Sequence, residues 1–217
     1  MTFSICVREK RDDGHVFGVA VATDAPAVGA LAPCVSHEGA ISTQSFVNVR
    51  LGRRGIDLLS DLAVGDALEG LLAQDEHADL RQVHGVDARG EAFAFSGENC
   101  DDWFGHHVHE DEGVTVAGNM LTGEETLTAT HEGYADSEGE NVVERLLDAL
   151  AAGRDAGGDK RGHSSAAVAV KAPQTTAYHD LRVDHHETPV DELRRVYEAA
   201  EEATDGFSEE SKERIFD

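Results

Sequence analysis

The sequence predicts an α+β fold built from mainly antiparallel sheets covered by helices. Segments typical of strands and of helices come in groups along the chain: strands, paired helices, strands, paired helices, strands and one helix. Such grouping is typical of an α+β sandwich, whereas alternating βαβ units would predict a parallel sheet. The 217 residues are 40% hydrophobic, and no repeat, linker or low-complexity segment divides them. They are therefore expected to form one domain with one buried core.

The first four segments are typical of β-strands. Residues 3–8 and 16–22 are rich in β-forming side chains and flank the turn-forming residues 11–14, which predicts a hairpin. Residues 27–34 form a third apolar stretch, and residues 39–47, rich in β-branched and hydroxyl side chains, form a fourth. The chain is thus expected to begin with antiparallel strands.

Two helices are predicted next, at residues 54–62 and 66–74. In the second, Leu68, Leu71 and Leu72 follow the i, i+3, i+4 spacing of a buried helical face. These helices are expected to cover one face of a sheet.

The remaining elements complete the domain. Three strands and two helices are predicted at residues 81–87, 91–95, 113–118, 124–135 and 141–152. Gly153 is expected to end the last of these helices. Two strands and one helix follow at residues 165–172, 176–184 and 190–203, with Pro189 opening the helix. We therefore assign residues 1–204 to one domain and residues 205–217 to an acidic tail.

The composition is strongly acidic, with 43 Asp and Glu against 18 Lys and Arg and a net charge of −25. Nucleic acids and anionic membranes would be repelled, so neither is expected as a partner. Few of the cationic residues are lysines, a balance that resembles halophilic proteins, in which concentrated salt screens acidic self-repulsion. The acidity then reflects the solvent and not the substrate.

The chain start lacks the basic and apolar order of a signal peptide, and no apolar run approaches the roughly 20 residues of a membrane span. Cys6, Cys34 and Cys100 form no CxxC pair and are expected to be reduced and buried. These features predict a cytoplasmic protein. The sequence contains no GxGxxG, Walker, HExxH or GxSxG motif, so dinucleotide, nucleoside triphosphate and α/β-hydrolase sites are not predicted, and no cofactor is expected.

Thr2 is the first candidate for catalysis. Methionine aminopeptidases generally remove Met1 before a small residue, which would leave the Thr2 hydroxyl beside its own free α-amine. The pKa of an α-amine lies at about 7.7 to 8.0, which suits a general base at neutral pH. Many proteins also begin with Met-Thr, so this position alone does not predict catalysis.

Spaced motifs along the chain support a catalytic role for Thr2. They are Gly18-Val19-Ala20-Val21-Ala22-Thr23-Asp24, Gly29-Ala30, Thr43-Gln44-Ser45, Asn48, Gly52, Gly55, Arg81-Gln82, Gly97, Cys100, Trp103, Gly105-His106, Gly118-Asn119-Met120-Leu121, residues 157–162 and residues 180–184. Through them, residues 2–197 resemble the family known as domain of unknown function 1028, whose members are described as N-terminal nucleophile (Ntn) hydrolases. With the acidic composition, the chain resembles a haloarchaeal member.

The resemblance implies a four-layer αββα sandwich of two mainly antiparallel sheets, with Thr2 at the end of a central strand. It also implies that Thr2 attacks an amide or ester carbonyl, that its amine relays the proton, and that backbone or asparagine donors hold the oxyanion. Gly118 and Asn119 are the natural donors here, although Asn119 fits a turn equally well. The resemblance implies no particular substrate.

The chain departs from the family pattern at Asp24, where a lysine often follows the second strand. Catalysis would then depend on the α-amine alone, or on Lys160 or Arg161 brought from afar. Asp24 either orients the α-ammonium group or caps a turn.

Residues 157–162 form the densest cluster of glycines and cations. Arg161 either binds a substrate carboxylate in bidentate fashion or pairs with Asp159 in a structural loop. Ser164 is a candidate substrate-binding hydroxyl whose alternative role is strand entry. Further candidates for substrate binding are Thr43, within the family-like segment Thr43-Gln44-Ser45, and the residues Gly118 and Asp159.

Two histidine clusters have the side chains of metal ligands. They are His106, His107 and His109, followed by Glu110, Asp111 and Glu112, and the run His185-His186-Glu187. His107 and His109 share one face if the segment is extended. We favour solvated loops over metal ligands at both clusters, so no metal site is predicted.

These observations predict an Ntn-type amidohydrolase that cleaves a small amide or peptide bond, with Thr2 as nucleophile after removal of Met1. The alternative is a catalytically inactive Ntn-fold protein that binds a ligand or assembles with itself. A homo-oligomer is expected, because such folds commonly associate through their helical layers.

Overall fold

A computed structural model describes residues 2–173, 179–206, 208 and 211 of the chain. The strands in this part are β1 (Thr2–Arg11), β2 (Gly14–Thr23), β3 (Pro33–Val35), β4 (Gly39–Ser45), β5 (Arg81–Asp87), β6 (Ala92–Ser96), β7 (Gly105–His109), β8 (Val114–Asn119), β9 (Ser165–Lys171) and β10 (His179–Val183). The helices are α1 (Val49–Leu58), α2 (Val64–Leu72), α3 (Glu125–Ala135), α4 (Val142–Asp155) and α5 (Pro189–Asp205). Within the described residues, no helix combines the length and the apolar character that crossing a bilayer requires.

The strands form two antiparallel sheets. The six-stranded sheet has the order β10-β9-β2-β1-β8-β7, and the four-stranded sheet has the order β3-β4-β5-β6. Strand β1 is therefore central in the larger sheet, where it pairs with β2 and β8. The predicted α+β class with two mainly antiparallel sheets is confirmed.

The helices divide between the two sheets. Helices α3, α4 and α5 contact strands of the six-stranded sheet, and α1 and α2 contact strands of the four-stranded sheet. Leucines of α4 are buried together with Phe3 of β1, which explains their helical spacing in the sequence. The two sheets also contact each other, β1 against β4 and β5 against β8.

The side chains of β1 alternate between two buried environments, because successive residues of a strand point to opposite faces. Phe3 packs with the leucines of α4. Ser4 and Cys6 instead meet His84 of β5, with Ser4 Oγ 2.7 Å from His84 Nε2 and Cys6 Sγ 3.8 Å from the His84 carbonyl oxygen. Thr2, Ser4 and Cys6 are alternate residues of β1 and therefore share one face of the sheet. The Thr2 side chain thus lies on the face toward the four-stranded sheet.

The predicted strand at residues 27–34 is wrong for most of its length. The segment forms a 3₁₀ turn at Val28–Ala30 and only then the three-residue strand β3. Ala27 has a left-handed φ of 58°, and the buried Val28 packs against Val21 of β2. The apolar composition therefore serves packing over the sheet and does not reflect a strand.

The histidines expected in a solvated loop form strand β7 instead. This edge strand pairs with β8, so His106 lies opposite Ala117 and His107 opposite Val116. Backbone hydrogen bonds to the buried strand β8 stabilise this segment. The strand was not predicted because the side chains of β7 have low hydropathy.

Helix α4 continues past Gly153, which was expected to end it, as far as Asp155. A Cβ atom on Gly153 would lie 2.2 Å from Thr130 Oγ1 and 2.7 Å from Phe3 Cε2. The glycine therefore allows α4 to approach α3 and β1 closely, and it does not act as a cap.

The boundaries of helix α1 and strand β10 also differ from the predicted ones. Helix α1 begins at Val49, before the predicted start at residue 54, because the Asn48 side chain accepts a hydrogen bond from Arg50 N and caps the helix. Strand β10, described as His179–Val183, ends one residue before the predicted end at residue 184. Residues 174–178, and most of the predicted acidic tail at 205–217, lie outside the described residues.

The three cysteines are free thiols, as predicted, but only Cys6 and Cys100 are buried. Cys34 is half-buried, and burial raises the pKa of its thiol to about 11. It therefore stays protonated and unreactive at neutral pH.

Candidate functional site

Thr2 begins the central strand β1, and its neighbours come from both adjacent strands. In the antiparallel register Thr2 lies opposite Thr23 of β2 and opposite Asn119 of β8. Residues directly opposite each other in antiparallel strands point to the same face. The three side chains therefore project together toward the four-stranded sheet.

The Thr2 hydroxyl has a hydroxyl partner. Thr2 Oγ1 donates to Thr23 Oγ1 over 3.2 Å, and 7% of Thr2 remains exposed. Within the described residues, no lysine, arginine or histidine hydrogen-bonds Thr2 Oγ1. Thr23 was not among the predicted site residues, although it ends the strand that pairs with β1.

A cleft of about 100 Å³ lies at this end of the sheets. Its polar wall consists of Thr2, Thr23, Thr43, Gln44 and Ser45, and its apolar wall consists of Ala25, Pro26, Val28, Leu31, Ala32 and Val47. The apolar Leu31 is 41% exposed and Val47 is 36% exposed. The cleft is thus small, open to solvent and apolar on one side.

Unusual backbone conformations occur at this cleft and beside the strand end that pairs with Thr2. Within the described residues, the non-glycine residues with positive φ are Ala27 at 58°, Ser45 at 67° and Met120 at 53°. Ser45 lines the cleft, Ala27 lies between two lining residues, and Met120 follows Asn119. Left-handed φ values are uncommon outside glycine and cluster at functional sites, because the surrounding structure must hold them in place.

Asn119, the predicted oxyanion donor, lies beside Thr2 but points into the protein. Its Nδ2 donates to Gln82 Oε1 over 3.1 Å, and the residue is 1% exposed. Asn119 is absent from the residues that line the cleft. One of its two amide hydrogens is therefore engaged with the four-stranded sheet.

Gly118, predicted to bind substrate, serves packing. Its carbonyl oxygen accepts a hydrogen bond from Gln82 Nε2 over 2.9 Å. A Cβ atom at this position would lie 2.4 Å from Leu121 Cδ1. The missing side chain lets the buried Leu121 fold back over the strand.

A network of buried polar side chains extends from Asn119 into the space between the sheets. In order, its members are Asn119, Gln82, Gln44, Ser4, His84 and Thr115. Gln44 also lines the cleft, so the network connects the surface of the site with the interior. These roles were not predicted from the sequence. The available signal was the polar pair Gln82 and His84, two residues apart on one face of a predicted buried strand.

The hydrogen bonds determine the tautomer of His84. Ser4 Oγ donates its only hydrogen to Gln44 Oε1 over 2.6 Å, so it accepts from His84 Nε2. His84 Nδ1 then accepts from Thr115 Oγ1 over 2.8 Å. Burial, together with the neighbouring His106, lowers the pKa of His84 from 6.5 to about 3. The imidazole is therefore neutral throughout the physiological pH range.

The low pKa of His84 predicts a loss of stability in mild acid. Between pH 6.5 and pH 3 the unfolded chain binds a proton at this residue that the folded chain does not bind, so stability falls as the pH is lowered. We expect the free energy of unfolding of His84→Gln to fall less steeply than that of the wild type, by about 1.4 kcal/mol per pH unit below about pH 6. Urea unfolding between pH 5 and pH 7 measures the difference, and parallel curves for the two proteins would contradict it.

Asp159 anchors the loop at residues 157–162 and does not face the cleft. It is 2% exposed, and its carboxylate accepts from Asp24 N over 3.0 Å and from Arg161 N over 2.9 Å. The Arg161 guanidinium lies 3.4 Å from Asp159 and 3.6 Å from Asp24. Lys160 Nζ donates to the Asp102 carbonyl oxygen over 2.7 Å. Arg161 therefore contacts both Asp159 and Asp24 in this structure.

Ser164 and Thr43 differ in their surroundings. Ser164 N donates to the Thr23 carbonyl oxygen over 2.8 Å, while Ser164 Oγ is buried and has no partner among the described residues. Thr43 lines the cleft, and its hydroxyl donates to the Asn48 carbonyl oxygen over 3.4 Å. Of the residues predicted to bind substrate, Thr43 is the one that lines the cleft with Thr2.

The histidines of β7 separate onto two faces. His106 Nδ1 lies 2.9 Å from Ser96 Oγ of β6, on the side of the four-stranded sheet. His107 and His109 lie on the opposite face, where His109 stacks on His131 of α3. The second cluster is exposed, and His186 Nδ1 accepts from Thr188 N just before α5.

A solved structure and a family model give the same result. Over 92% of its length the chain matches the crystal structure of a DUF1028 protein from Silicibacter pomeroyi, with a TM-score of 0.83, 28% sequence identity and 88% of that chain covered. A search of the curated proteins finds no match. The family model described as "Family of unknown function (DUF1028)" matches residues 2–193. The chain therefore belongs to the DUF1028 family.

Proposed function

We propose that the protein is an Ntn-type amidohydrolase that cleaves a small amide or peptide bond. After the residue before it is removed, Thr2 attacks the carbonyl carbon through Oγ1 while its α-amine accepts the hydroxyl proton. Collapse of the tetrahedral intermediate breaks the C–N bond, and the proton passes to the leaving amine. Water then hydrolyses the acyl ester on Thr2 and regenerates the hydroxyl.

The observation that carries this proposal is the position of Thr2 in the cleft. A residue at the start of a central strand, with its hydroxyl on the wall of an open cleft, can present a freed α-amine and its own hydroxyl to the same substrate carbonyl. The clustering of left-handed backbone at Ala27, Ser45 and Met120 supports a functional role for this end of the molecule.

The proposal includes the four-layer αββα arrangement. It is supported by the contacts of α3, α4 and α5 with one sheet, of the two sheets with each other, and of α1 and α2 with the other sheet. In such an arrangement Thr2 lies at the open end between the sheets. Asn119 is the proposed oxyanion donor, since it retains a second Nδ2 hydrogen after donating to Gln82.

The cleft favours a small acyl group. Its volume of about 100 Å³ corresponds to about three water molecules in the liquid. Proline, valine and leucine side chains line one wall, so a short apolar acyl group fits better than a charged one.

A second candidate function is ligand binding without catalysis on the same fold. Asp24 replaces the lysine of the resemblance, and Arg161 and Lys160 are engaged with Asp159 and Asp102. Among the described residues no lysine or arginine then hydrogen-bonds the Thr2 hydroxyl, so catalysis would depend on the α-amine alone. Catalysis requires a free α-amine at Thr2, whereas ligand binding does not.

Intact mass of the natively expressed, untagged protein tests the catalytic proposal. We expect the mass of the chain that begins at Thr2, because only then is the α-amine free. Release of amine from a panel of short-chain N-acyl amides is then measured on the same sample. A retained Met1 would exclude Thr2 as an N-terminal nucleophile and leave the binding function.

A further inference from the structure

A group of possible metal ligands lies outside the Thr2 site, where β7 ends beside α3. His109 is the last residue of β7, Glu112 follows in a 3₁₀ turn, and His131 lies in α3. One ligand atom from each of the three residues lies within 4.8 Å of the others. The sequence cluster of His106, His107 and His109 did not include His131, because helix packing alone brings it here.

His109 Nε2 provides an independent observation. This nitrogen is buried and has no hydrogen-bond partner among the described residues. Buried polar atoms normally have a partner, so an unpaired imidazole nitrogen calls for a ligand. Beside it, His131 Nε2 lies 2.7 Å from Glu112 Oε2, so the other two groups are already in contact.

The chemistry of the three groups selects the kind of ion. Two imidazoles and one carboxylate suit Zn²⁺ and related divalent transition metals, whereas Ca²⁺ and Mg²⁺ prefer sets made of oxygen ligands alone. Strong negative charge surrounds the group, including Glu110 and Asp111 of the same turn. We propose that His109, Glu112 and His131 bind one zinc-class divalent ion that links the end of the edge strand β7 to helix α3.

Binding requires a small rearrangement of the side chains. The rings of His109 and His131 are stacked, with centroids 3.6 Å apart and planes 2° from parallel. An imidazole binds a metal in its ring plane at about 2.0 to 2.1 Å, so one ring must tilt before both nitrogens face the same ion. The Glu112 side chain is 53% exposed and is free to follow the ion.

This site is separate from Thr2. His107 and His109 lie opposite Val116 and Val114, whose side chains pack on the helix side of the sheet. Thr2 pairs with Asn119 at the other end of β8 and projects from the other face. The ion would therefore stabilise the edge of the sheet and take no part in the proposed reaction.

Isothermal titration calorimetry with Zn²⁺ tests the proposal. The untagged protein is first dialysed against EDTA to remove bound metal and is then titrated in buffer that contains excess Mg²⁺. The Mg²⁺ occupies exposed carboxylates, so the titration reports the imidazole site. We expect one Zn²⁺ per chain with micromolar or tighter affinity, a higher Tm with Zn²⁺, and visible absorption typical of tetrahedral coordination when Co²⁺ replaces Zn²⁺.

The variants decide which residues bind the ion. Glu112→Gln changes an exposed side chain and keeps its volume, so it preserves the fold, and we expect it to weaken Zn²⁺ binding about tenfold or more. His131→Ala should abolish both stoichiometric binding and the rise in Tm. His37→Ala, at an exposed histidine outside the group, should bind like the wild type. Absence of stoichiometric uptake by the wild type, or equal binding by Glu112→Gln, would overturn the proposal.

Discussion

Thr2→Ala is expected to lower the rate of amide hydrolysis at least about 10³-fold, because it removes the only group that forms the covalent bond to the substrate. Alanine is small, so removal of Met1 should proceed as in the wild type. The α-amine, the cleft and the fold are retained. The loss should therefore appear in kcat, with little change in the Tm.

The measurement compares Thr2→Ala with Thr2→Ser on the amide substrate that the panel identifies. Serine keeps the hydroxyl and the α-amine and should retain measurable turnover. Thr23→Val removes the hydrogen-bond partner of Thr2 but leaves the nucleophile, so it should also retain measurable turnover. A wild-type rate in Thr2→Ala would show that the activity comes from another group. An inactive wild type, with correct processing, would favour the binding function.

Gln82→Leu is expected to destabilise the protein by about 4 kcal/mol, because it leaves several buried polar groups without partners. Gln82 Oε1 accepts from Gln44 Nε2 over 2.8 Å and from Asn119 Nδ2 over 3.1 Å. Its Nε2 lies within 3.1 Å of the Gly105 carbonyl oxygen and 2.9 Å of the Gly118 carbonyl oxygen. Leucine has a similar size, so the cost comes from lost hydrogen bonds and not from a cavity.

Urea unfolding of Gln82→Leu against Gln74→Leu measures this effect. Gln74 lies at an exposed position just after α2, so the same chemical change there should alter stability by less than about 0.5 kcal/mol. A loss below about 1 kcal/mol for Gln82→Leu would mean that the buried network contributes little to joining the sheets.

Much of the fold could be predicted from the sequence because local patterns and final packing agree. The hairpin of β1 and β2 has turn residues between two β-rich runs, and α4 has leucines at helical spacing that become buried against Phe3. The predictions were wrong where the local sequence pattern and the final packing disagree. Residues 27–34 are apolar because Val28 covers part of the larger sheet, and Gly153 allows a close contact within a helix.

The candidate site could be predicted only in part. Thr2 and Thr43 line the cleft, whereas Asp159 and Gly118 serve packing and loop anchoring. An aspartate in a glycine-rich loop looks the same in the sequence whether it binds a ligand or a backbone amide. The difference depends on residues distant in sequence, such as Asp24, which approach only after folding.

The sequence by itself determined the family and the α+β class, because spaced motifs and local periodicity are properties of the chain. The tertiary structure alone decided which polar groups meet. It joined Asn119, Gln82 and Ser4 across two sheets, and it brought His131 from a helix to the end of β7. Strand register and helix packing set the distances between these residues. Both depend on the burial of apolar surface by segments that are distant in the sequence. The polar residues that meet as a result therefore share no local sequence pattern.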